Sequence, residues 1–373
     1  MTQPFLYGME HSNHDFHSPT SLGKNIFTNA FPLSLMQYAH NELGLTVPLI
    51  YAKHCGEDSV TTSIEHTNWA DIINTNPKTA KFYFETVFDG YDQYTHNGAN
   101  KSDVVVIDGT HHTRPLEIKL VVVPTSASAS KPREKQSCEI VTRPSTVEQI
   151  AFSIAHSFGT TRRLELLDII NSALGHPHDY EWGNDAFMVM KIPNFCKAAT
   201  DIIRAGIDLQ TPLVLSAIWR TKGQSPELDD DAFDAFVWTD LAFAQLYLTS
   251  AGPSRGKSLV SRPSRSLMWL VSCLYEFAAQ GTMNFDKTRS IMNFGYQGDK
   301  AGAFAGALPL KYMSSPEFMH PRISKFAVDH ILSSEALGEL LPERRLDQAI
   351  ALQHLTNLAE KRGAQAATKD DNH

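Results

Sequence analysis

The chain has 373 residues, 42% of them hydrophobic, and a formal net charge of −8. This length is enough for one or two domains with a sizeable core. The acidic balance argues against a protein that coats nucleic acid with its whole surface, but it permits a local basic cleft. The four cysteines are far apart and form no CxxC pair, so the sequence indicates neither a zinc knuckle nor a disulfide framework. A reducing cytoplasm is the expected location.

The first 30 residues are polar and lack the basic start and apolar stretch of a signal peptide. His11, His14 and His17 are spaced by three, but no cysteine or acidic cluster completes a metal shell, so a solvated arm is favoured. The most apolar later stretch, LMWLVSCLYEF, is too short to span a bilayer. We therefore expect no membrane partner.

Helical spacing dominates the segment before residue 102. It occurs in FPLSLMQYAHNEL, again at Trp69, Ile72 and Ile73, and again at Phe84, Phe88 and Tyr91. These residues predict core helices. Two strands with a turn near Thr110 follow in SDVVVIDGTHHTRPLEIKL, and then a polar loop, PTSASASKPREKQS.

Later segments predict both helices and strands. CEIV indicates a short strand, and the following helix has Ser145 as N-cap with Glu148 three residues on, a capping box. RRLELLDIINSAL predicts a helix, TPLVLSAIWRTKG a buried strand and DAFDAFVWTDLAFAQLYL a long helix. The order indicates an α/β or α+β domain with a mixed central sheet flanked by helices.

Composition suggests four regions. Residues 1–30 form the arm, and residues 31–250 form the core domain. Residues 251–362 begin with a basic loop and continue with helical sequence, including a last helix near LDQAIALQHLTNLAEKR, and are expected to serve DNA recognition or dimerisation. Residues 363–373 form a polar tail that predicts disorder.

The strand pair Ser102–Leu120 places charged residues together. With a turn near Thr110, residues whose numbers sum to about 220 face each other, so Asp103 lies opposite Glu117. Asp108 would lie five residues farther along, roughly 16 Å away and on the other face. Lys119 shares the face of Glu117, because the two residues are two apart. Two carboxylates and an ammonium group are therefore expected to converge.

This constellation predicts a metal site. Opposed carboxylates repel each other unless a cation lies between them. Mg²⁺ prefers oxygen ligands, which Asp103, Glu117 and the backbone carbonyl of Ile118 could supply, and Lys119 would lie beside the attacking water. The expected chemistry is phosphodiester hydrolysis. A surface hairpin without a site remains the alternative interpretation.

On these residues the sequence resembles the PD-(D/E)xK nuclease superfamily, which pairs an Asp at the head of one strand with Glu-x-Lys on the next. Ser102-Asp103 stands where the family often has Pro-Asp. The wider pattern, RPLEIKLVVVPTSAS followed by CEIVTRPSTVEQIAFSIAHS, is similar to HindVP-like type II restriction endonucleases. The resemblance covers roughly Asp103 to Phe158 and implies a restriction-endonuclease-like core with helical C-terminal additions.

The resemblance also implies a Mg²⁺-dependent homodimer that cuts double-stranded DNA at a short palindromic site, with the degenerate hexamer GRCGYC as the candidate. Some family members add a carboxylate from the helix before the hairpin, and Glu85 is the candidate here. Gln149, on the helix after the hairpin, is a second candidate for a place near the site. A solvated helix glutamate and a surface glutamine are the alternatives for these two residues.

Basic residues near the hairpin and in the loop after Ser250 are candidates for DNA contact, because lysine suits phosphates and arginine also suits guanine edges. Solvated surface cations are the alternative. The candidates are Arg114 at the turn, Lys131, Arg133, Lys135, Arg143, Arg220, Lys222, Arg255, Lys257, Arg262 and Arg265.

Two other functions remain open. AGPSRGKS, Ala251–Ser258, matches a relaxed phosphate-loop pattern and would indicate an ATP-dependent enzyme. However, helical sequence precedes it where a phosphate loop needs a strand, and Pro263 would fall early in the following helix. We therefore expect no nucleotide cofactor. The third possibility is a non-catalytic DNA-binding protein whose hairpin is structural.

Overall fold

The computed structural model describes residues 44–291, except 77–78, 110, 121–137, 142–143, 222–227 and 253–259. It also describes residues 303–306 and three positions near the N-terminus, Leu33, Met36 and His40, which are helical as predicted. The predicted arm 1–30, the predicted last helix and the tail 363–373 lie outside the described residues.

A mixed sheet forms the centre of the described part of the chain, with seven strands in the order β2-β1-β8-β7-β5-β4-β3. Strands β1 and β8, and strands β5 and β7, pair in parallel, while the other neighbours are antiparallel. The strands are β1 (Val47–His54), β2 (Val60–Thr67), β3 (Lys81–Thr86), β4 (Ser102–Asp108), β5 (His111–Leu120), β7 (Pro212–Thr221) and β8 (Leu228–Thr239).

A second, antiparallel pair joins β6 (Cys138–Val141) to β9 (Ala303–Gly306). The helices of the described residues are α1 (Trp69–Ile73), α2 (Pro144–Phe158), α3 (Arg163–Leu174), α4 (Asp185–Gly206), α5 (Asp240–Ser250), α6 (Arg262–Gln280) and α7 (Phe285–Ile291). Short 3-10 helices span Asp89–Tyr94, Pro177–Asp179 and Ile207–Leu209.

Two apolar clusters lie on opposite faces of the sheet. Along β4, Val105 and Ile107 pack with the larger cluster, which contains buried residues of helices α2 to α6. Val104 and Val106 pack with the smaller cluster, which contains Trp69 of α1. This alternation follows from the two-residue period of a strand. The predicted mixed sheet flanked by helices is therefore confirmed.

Two predicted helices are wrong. Phe84 lies in strand β3, where Phe82 and Phe84 are both fully buried at a spacing of two. DAFDAFVWT belongs to β8, and only the sequence after Thr239 forms a helix. Because β8 lies between β1 and β7, consecutive residues such as Phe236, Val237 and Trp238 are buried, and such a run resembles a buried helix.

Other elements were missed or shifted. Strands β1 and β2 and helix α4 were not predicted. In β2 only Val60 is fully buried, and α4 contains Pro193, which interrupts a helical pattern. Helix α2 begins at Pro144, so Ser145 is inside the helix and is not its N-cap. Among the described residues, no helix is both long and apolar enough to cross a bilayer.

Candidate active site

The β4–β5 hairpin has the predicted register at its inner end. Val104 pairs with Leu116 and Val106 with Arg114, so the residue numbers of each pair sum to 220. This register places Asp103 opposite Glu117. An irregularity after Val106 shifts the pairing near the turn, where exposed Asp108 pairs with His111. The expectation that Asp103, and not Asp108, lies beside Glu117 is confirmed.

Asp103, Glu117 and Lys119 form one hydrogen-bonded cluster. The Nζ of Lys119 donates to Oε2 of Glu117 at 2.8 Å and to Oδ2 of Asp103 at 3.4 Å. Oδ2 of Asp103 also accepts from the backbone N–H of Ile118 at 2.8 Å. The two carboxylates are thus close enough to share a single cation.

The strand ladder explains why the cluster forms at this point. Pairing of β4 with β5 reaches Val104–Leu116, and from Glu117 onward β5 pairs in parallel with β7. The N–H of Ile118 bonds to the side chain of Asp103. Asp103 therefore completes the hydrogen bonding where β4 and β5 part.

Burial makes the cluster electrostatically unusual. The exposed side-chain fractions are 28% for Asp103, 17% for Lys119 and 6% for Glu117. Burial and the charge of Asp103 raise the pKa of Glu117 to about 8, although Lys119 lowers it. Burial alone would lower the pKa of Lys119, but the two carboxylates outweigh it and raise that pKa. Lys119 is therefore a protonated ammonium at neutral pH.

The donor set fits a hard divalent cation. Two carboxylates that repel each other in a buried place are stabilised by a cation between them, and their oxygens are the ligands that Mg²⁺ prefers. Within the described part of the chain, no group of three His, Cys, Asp or Glu residues could hold a metal. Asp103, Glu117 and a backbone carbonyl would leave positions for water and substrate, as Mg²⁺ usually requires.

Glu85 lies in a strand, and its predicted helical location is wrong. It stands in β3 between the pairs Phe84–Val104 and Thr86–Ser102, level with Asp103. Its φ of 49° is in the left-handed region, which non-glycine residues seldom adopt. Glu85 does not form a three-acid metal group in this arrangement. Its accessory role stays a prediction.

Gln149 is buried and holds the segment that precedes Asp103. Its Nε2 donates to the carbonyls of Asn100 at 3.2 Å and Lys101 at 3.3 Å. Its Oε1 accepts from Oγ of Ser102 at 3.2 Å. The structure therefore places Gln149 near the site, in contact with the backbone beside it, and not on the surface.

Sequence reasoning missed the part played by Glu148. Its carboxylate accepts from the amide of Asn100 and forms an ion pair with Arg289 of α7. The capping-box pattern gave Glu148 a local role instead. No signal in the sequence connects Glu148 with Arg289, because 140 positions separate them.

One of the predicted DNA-binding cations is half-buried and another is buried. Arg114 lies within β5, paired with Val106, and not at the turn, and burial lowers its pKa. Arg265 is only 4% exposed in α6. Arg220 lies in β7 and Arg262 in α6. The remaining candidates lie outside the described residues: Lys131, Arg133, Lys135, Arg143, Lys222, Arg255 and Lys257.

The surroundings of the phosphate-loop pattern do not suit nucleotide binding. Helix α5 ends at Ser250, so a helix and not a strand precedes the pattern. Helix α6 begins at Arg262, with Ser261 as N-cap and Pro263 in its first turn. Residues 253–259 themselves lie outside the described residues.

Comparison with known proteins gives a consistent result. The profile of the HindVP restriction endonuclease family matches residues 22–355. The chain is 34% identical to the type II restriction enzyme HgiDI of Herpetosiphon aurantiacus, covering 94% of this chain and 96% of the relative. It is 25% identical to the probable type II restriction enzyme HindVP of Haemophilus influenzae, covering 93% of each chain. No solved structure gave a significant match. The chain therefore belongs to the HindVP restriction endonuclease family.

Proposed function

We propose that Asp103, Glu117 and Lys119 form the catalytic centre with which this type II restriction endonuclease hydrolyses double-stranded DNA in the presence of Mg²⁺. Family membership and both relatives support the reaction class, a site-specific deoxyribonuclease. The observation that supports the location is the contact of one buried ammonium group with two opposed carboxylates.

Each group has a separate task in this proposal. Asp103, Glu117 and the carbonyl of Ile118 would hold Mg²⁺, which acidifies water and offsets negative charge on the phosphate. Lys119 keeps its proton, so it acts as a hydrogen-bond donor and not as a general base. It orients the attacking oxygen and stabilises the charge that develops on the phosphate in the transition state.

The N–H of Ile118 has a supporting task. By donating to Oδ2 of Asp103, it fixes the rotamer of that carboxylate and leaves the other oxygen, Oδ1, for a ligand. Catalytic groups that are held in place before the substrate arrives lower the cost of reorganisation during the reaction.

A homodimer on a palindromic site is the proposed assembly, with GRCGYC as the first sequence to test. Two-fold symmetry of the protein matches that of a palindrome and brings one catalytic centre to each strand. Sedimentation on a GRCGYC duplex should give a complex with two chains, whereas a complex with one chain would count against the proposal.

DNA contact is proposed for the basic candidates other than the half-buried Arg114 and the buried Arg265. Cations in the polar segment 124–137 and in the basic loop 251–262 suit the phosphate backbone, because neutralising phosphates releases bound counterions. Affinity should therefore fall steeply as the salt concentration rises.

The proposal is tested by digestion of supercoiled plasmid with Mg²⁺ or EDTA, using the wild type and Lys119→Ala. The wild type should give discrete fragments only with Mg²⁺, and the variant should be slower by about 10²- to 10³-fold, because a donor to the transition state is lost. Lys53→Ala, which removes an exposed lysine of β1, is the matched control and should cleave within about twofold of the wild type.

Each contrary result points to another function. Cleavage by Lys119→Ala at the wild-type rate would remove this catalytic centre. Wild-type protein that binds DNA but never cleaves it would favour the non-catalytic alternative. Cleavage that requires ATP would revive the nucleotide-binding alternative.

A further inference from the structure

The backbone just before Asp103 is held by helix α2. Gln149 bonds to three consecutive residues of that segment, as described above. Glu148, the preceding residue of α2, accepts from the side-chain amide of Asn100. Since Ser102 begins β4, these contacts fix the place where the strand enters the sheet, one residue before the carboxylate.

The carboxylate of Glu148 also contacts helix α7. Its second carboxylate oxygen, Oε1, pairs with the guanidinium of Arg289 in α7. The side chain is only 3% exposed. A buried carboxylate is unfavourable unless it has donors and a counter-charge, and Asn100 and Arg289 supply them. The carboxylate is thus a bridge between two segments distant in sequence.

The surroundings of Glu148 support this role. Burial raises the pKa of Glu148 to about 7, although Arg289 and Asn100 lower it, and Asp286 of α7 raises it slightly. Cys273 of α6 also faces the carboxylate and is neutral, because burial raises the pKa of its thiol. Arg289 therefore favours the charged form of Glu148, and a charged carboxylate accepts more strongly from Asn100.

We propose that Glu148 is a positioning residue of the restriction reaction, which acts through Asn100 to fix the start of β4 and hence the location of Asp103. This inference rests on the proposed function, since it requires Asp103 to be catalytic. Arg289 belongs to the region 251–362, for which the sequence predicts DNA recognition or dimerisation. The bridge therefore joins that region to the catalytic hairpin.

A second ion pair of α7 provides a matched control. Lys287 pairs with Glu276 of α6 at 3.7 Å, so it also attaches α7 to the helical layer. It makes none of the contacts to Asn100, Lys101 or Ser102. Loss of the Lys287 pair measures the effect of loosening α7 without releasing the segment before Asp103.

The test compares Glu148→Leu, Asn100→Ala, their double variant and Lys287→Met. Asn100 is exposed, so its replacement should leave the fold intact even if Glu148→Leu does not fold. The readouts are the cleavage rate at saturating DNA, the Mg²⁺ concentration for half-maximal rate, DNA affinity in EDTA, and the rise in Tm caused by Ca²⁺ without DNA.

Both single variants should cleave about tenfold more slowly and need several-fold more Mg²⁺, because a displaced catalytic group binds and acts less well. The Ca²⁺-induced rise in Tm should shrink in both, while DNA affinity in EDTA stays within about twofold of the wild type. The double variant should match Glu148→Leu, since Glu148→Leu already removes the contact with Asn100. Glu148→Gln, which keeps an acceptor for Asn100, should recover part of the rate.

The inference is overturned if Asn100→Ala behaves like Lys287→Met, or if the effects of Asn100→Ala and Glu148→Leu multiply in the double variant. Lys119→Ala separates this failure from failure of the proposed function. If Lys119→Ala is inactive while Asn100→Ala cleaves normally, only the positioning role is wrong. If Lys119→Ala cleaves at the wild-type rate, the catalytic centre and the positioning role are both wrong.

Discussion

The two ends of the β4–β5 hairpin each have an aspartate, but their surroundings differ. At the inner end, Asp103 bonds to Lys119 and to the N–H of Ile118, beside a nearly buried Glu117. At the turn end, Asp108 is exposed and pairs through the backbone with His111. The neighbouring His112 contacts Asp89, whose side chain is 76% exposed.

This difference arises from the position of each end in the sheet. The inner end of β5 lies between β4 and β7, so charged groups there lose water and interact strongly with one another. Water screens the acids at the turn end. The same residue type therefore belongs to the proposed catalytic centre at one end and is an ordinary surface residue at the other.

The largest expected effect comes from exchanging the two aspartates for asparagine separately. Asp103→Asn should slow Mg²⁺-dependent cleavage by about 10²- to 10³-fold, because a negatively charged ligand is lost. Asp108→Asn should stay within about twofold of the wild type. Cleavage rates on the same plasmid measure the effect of each substitution. An equal loss of rate in the two variants would show that the two ends of the hairpin do not differ in function.

Another buried acid, Asp240, shows the effect of burial apart from that of a neighbouring like charge. Asp240 accepts from Oγ of Ser153 at 2.8 Å and from the backbone N–H groups of Thr211 at 3.1 Å and Leu241 at 2.7 Å. Burial raises its pKa from 3.8 to about 6, although these hydrogen bonds lower it. Unlike Glu117, it has no second carboxylate among these partners.

Because the folded-state pKa of Asp240 is raised, the stability it contributes is full below about pH 4 and is lost as the pH rises through about 6. The wild type should lose about 3 kcal/mol relative to Asp240→Asn over this range, at 1.36 kcal/mol per pKa unit. Urea unfolding of both proteins at a series of pH values measures the difference. A constant difference would show that the buried acid does not titrate as inferred.

The smallest expected effect sharpens the comparison at the inner end. With divalent metal removed by EDTA, the raised pKa of Glu117, about 8, favours its protonated form at pH 7. Glu117→Gln should therefore change the free energy of unfolding in EDTA by less than about 1 kcal/mol. The Ca²⁺-induced rise in Tm should disappear, because a ligand is lost. A metal-free destabilisation of about 3 kcal/mol or more would contradict this expectation.

The sequence predicted the hairpin because several signals agree there. An apolar run lies on each side of a Gly-Thr turn. A single register then places Asp103 opposite Glu117. The mixed sheet also followed from the order of elements. The cluster of Asp103, Glu117 and Lys119 could be predicted because it depends on local pairing, in which the register determines which residues are neighbours.

Elements that depend on distant packing were not predicted. Phe84, Phe88 and Tyr91 are spaced as in a helix, yet the pairing of β3 with β4 makes Phe84 a strand residue. Strand β8 pairs with β7, which directly precedes it in the chain, but its other neighbour, β1, is far away in the sequence. Likewise, the contact of Glu148 with Arg289 exists only after the helices have packed.

The bond from the N–H of Ile118 to the side chain of Asp103 has one more consequence. In most of a sheet, amide protons are shielded from exchange with solvent by strand carbonyls, whereas this proton is shielded by a side chain that would bind the metal. Its hydrogen-exchange rate therefore reports directly on how firmly Asp103 is held. The order of this proposed metal ligand can thus be followed by NMR before any DNA is added.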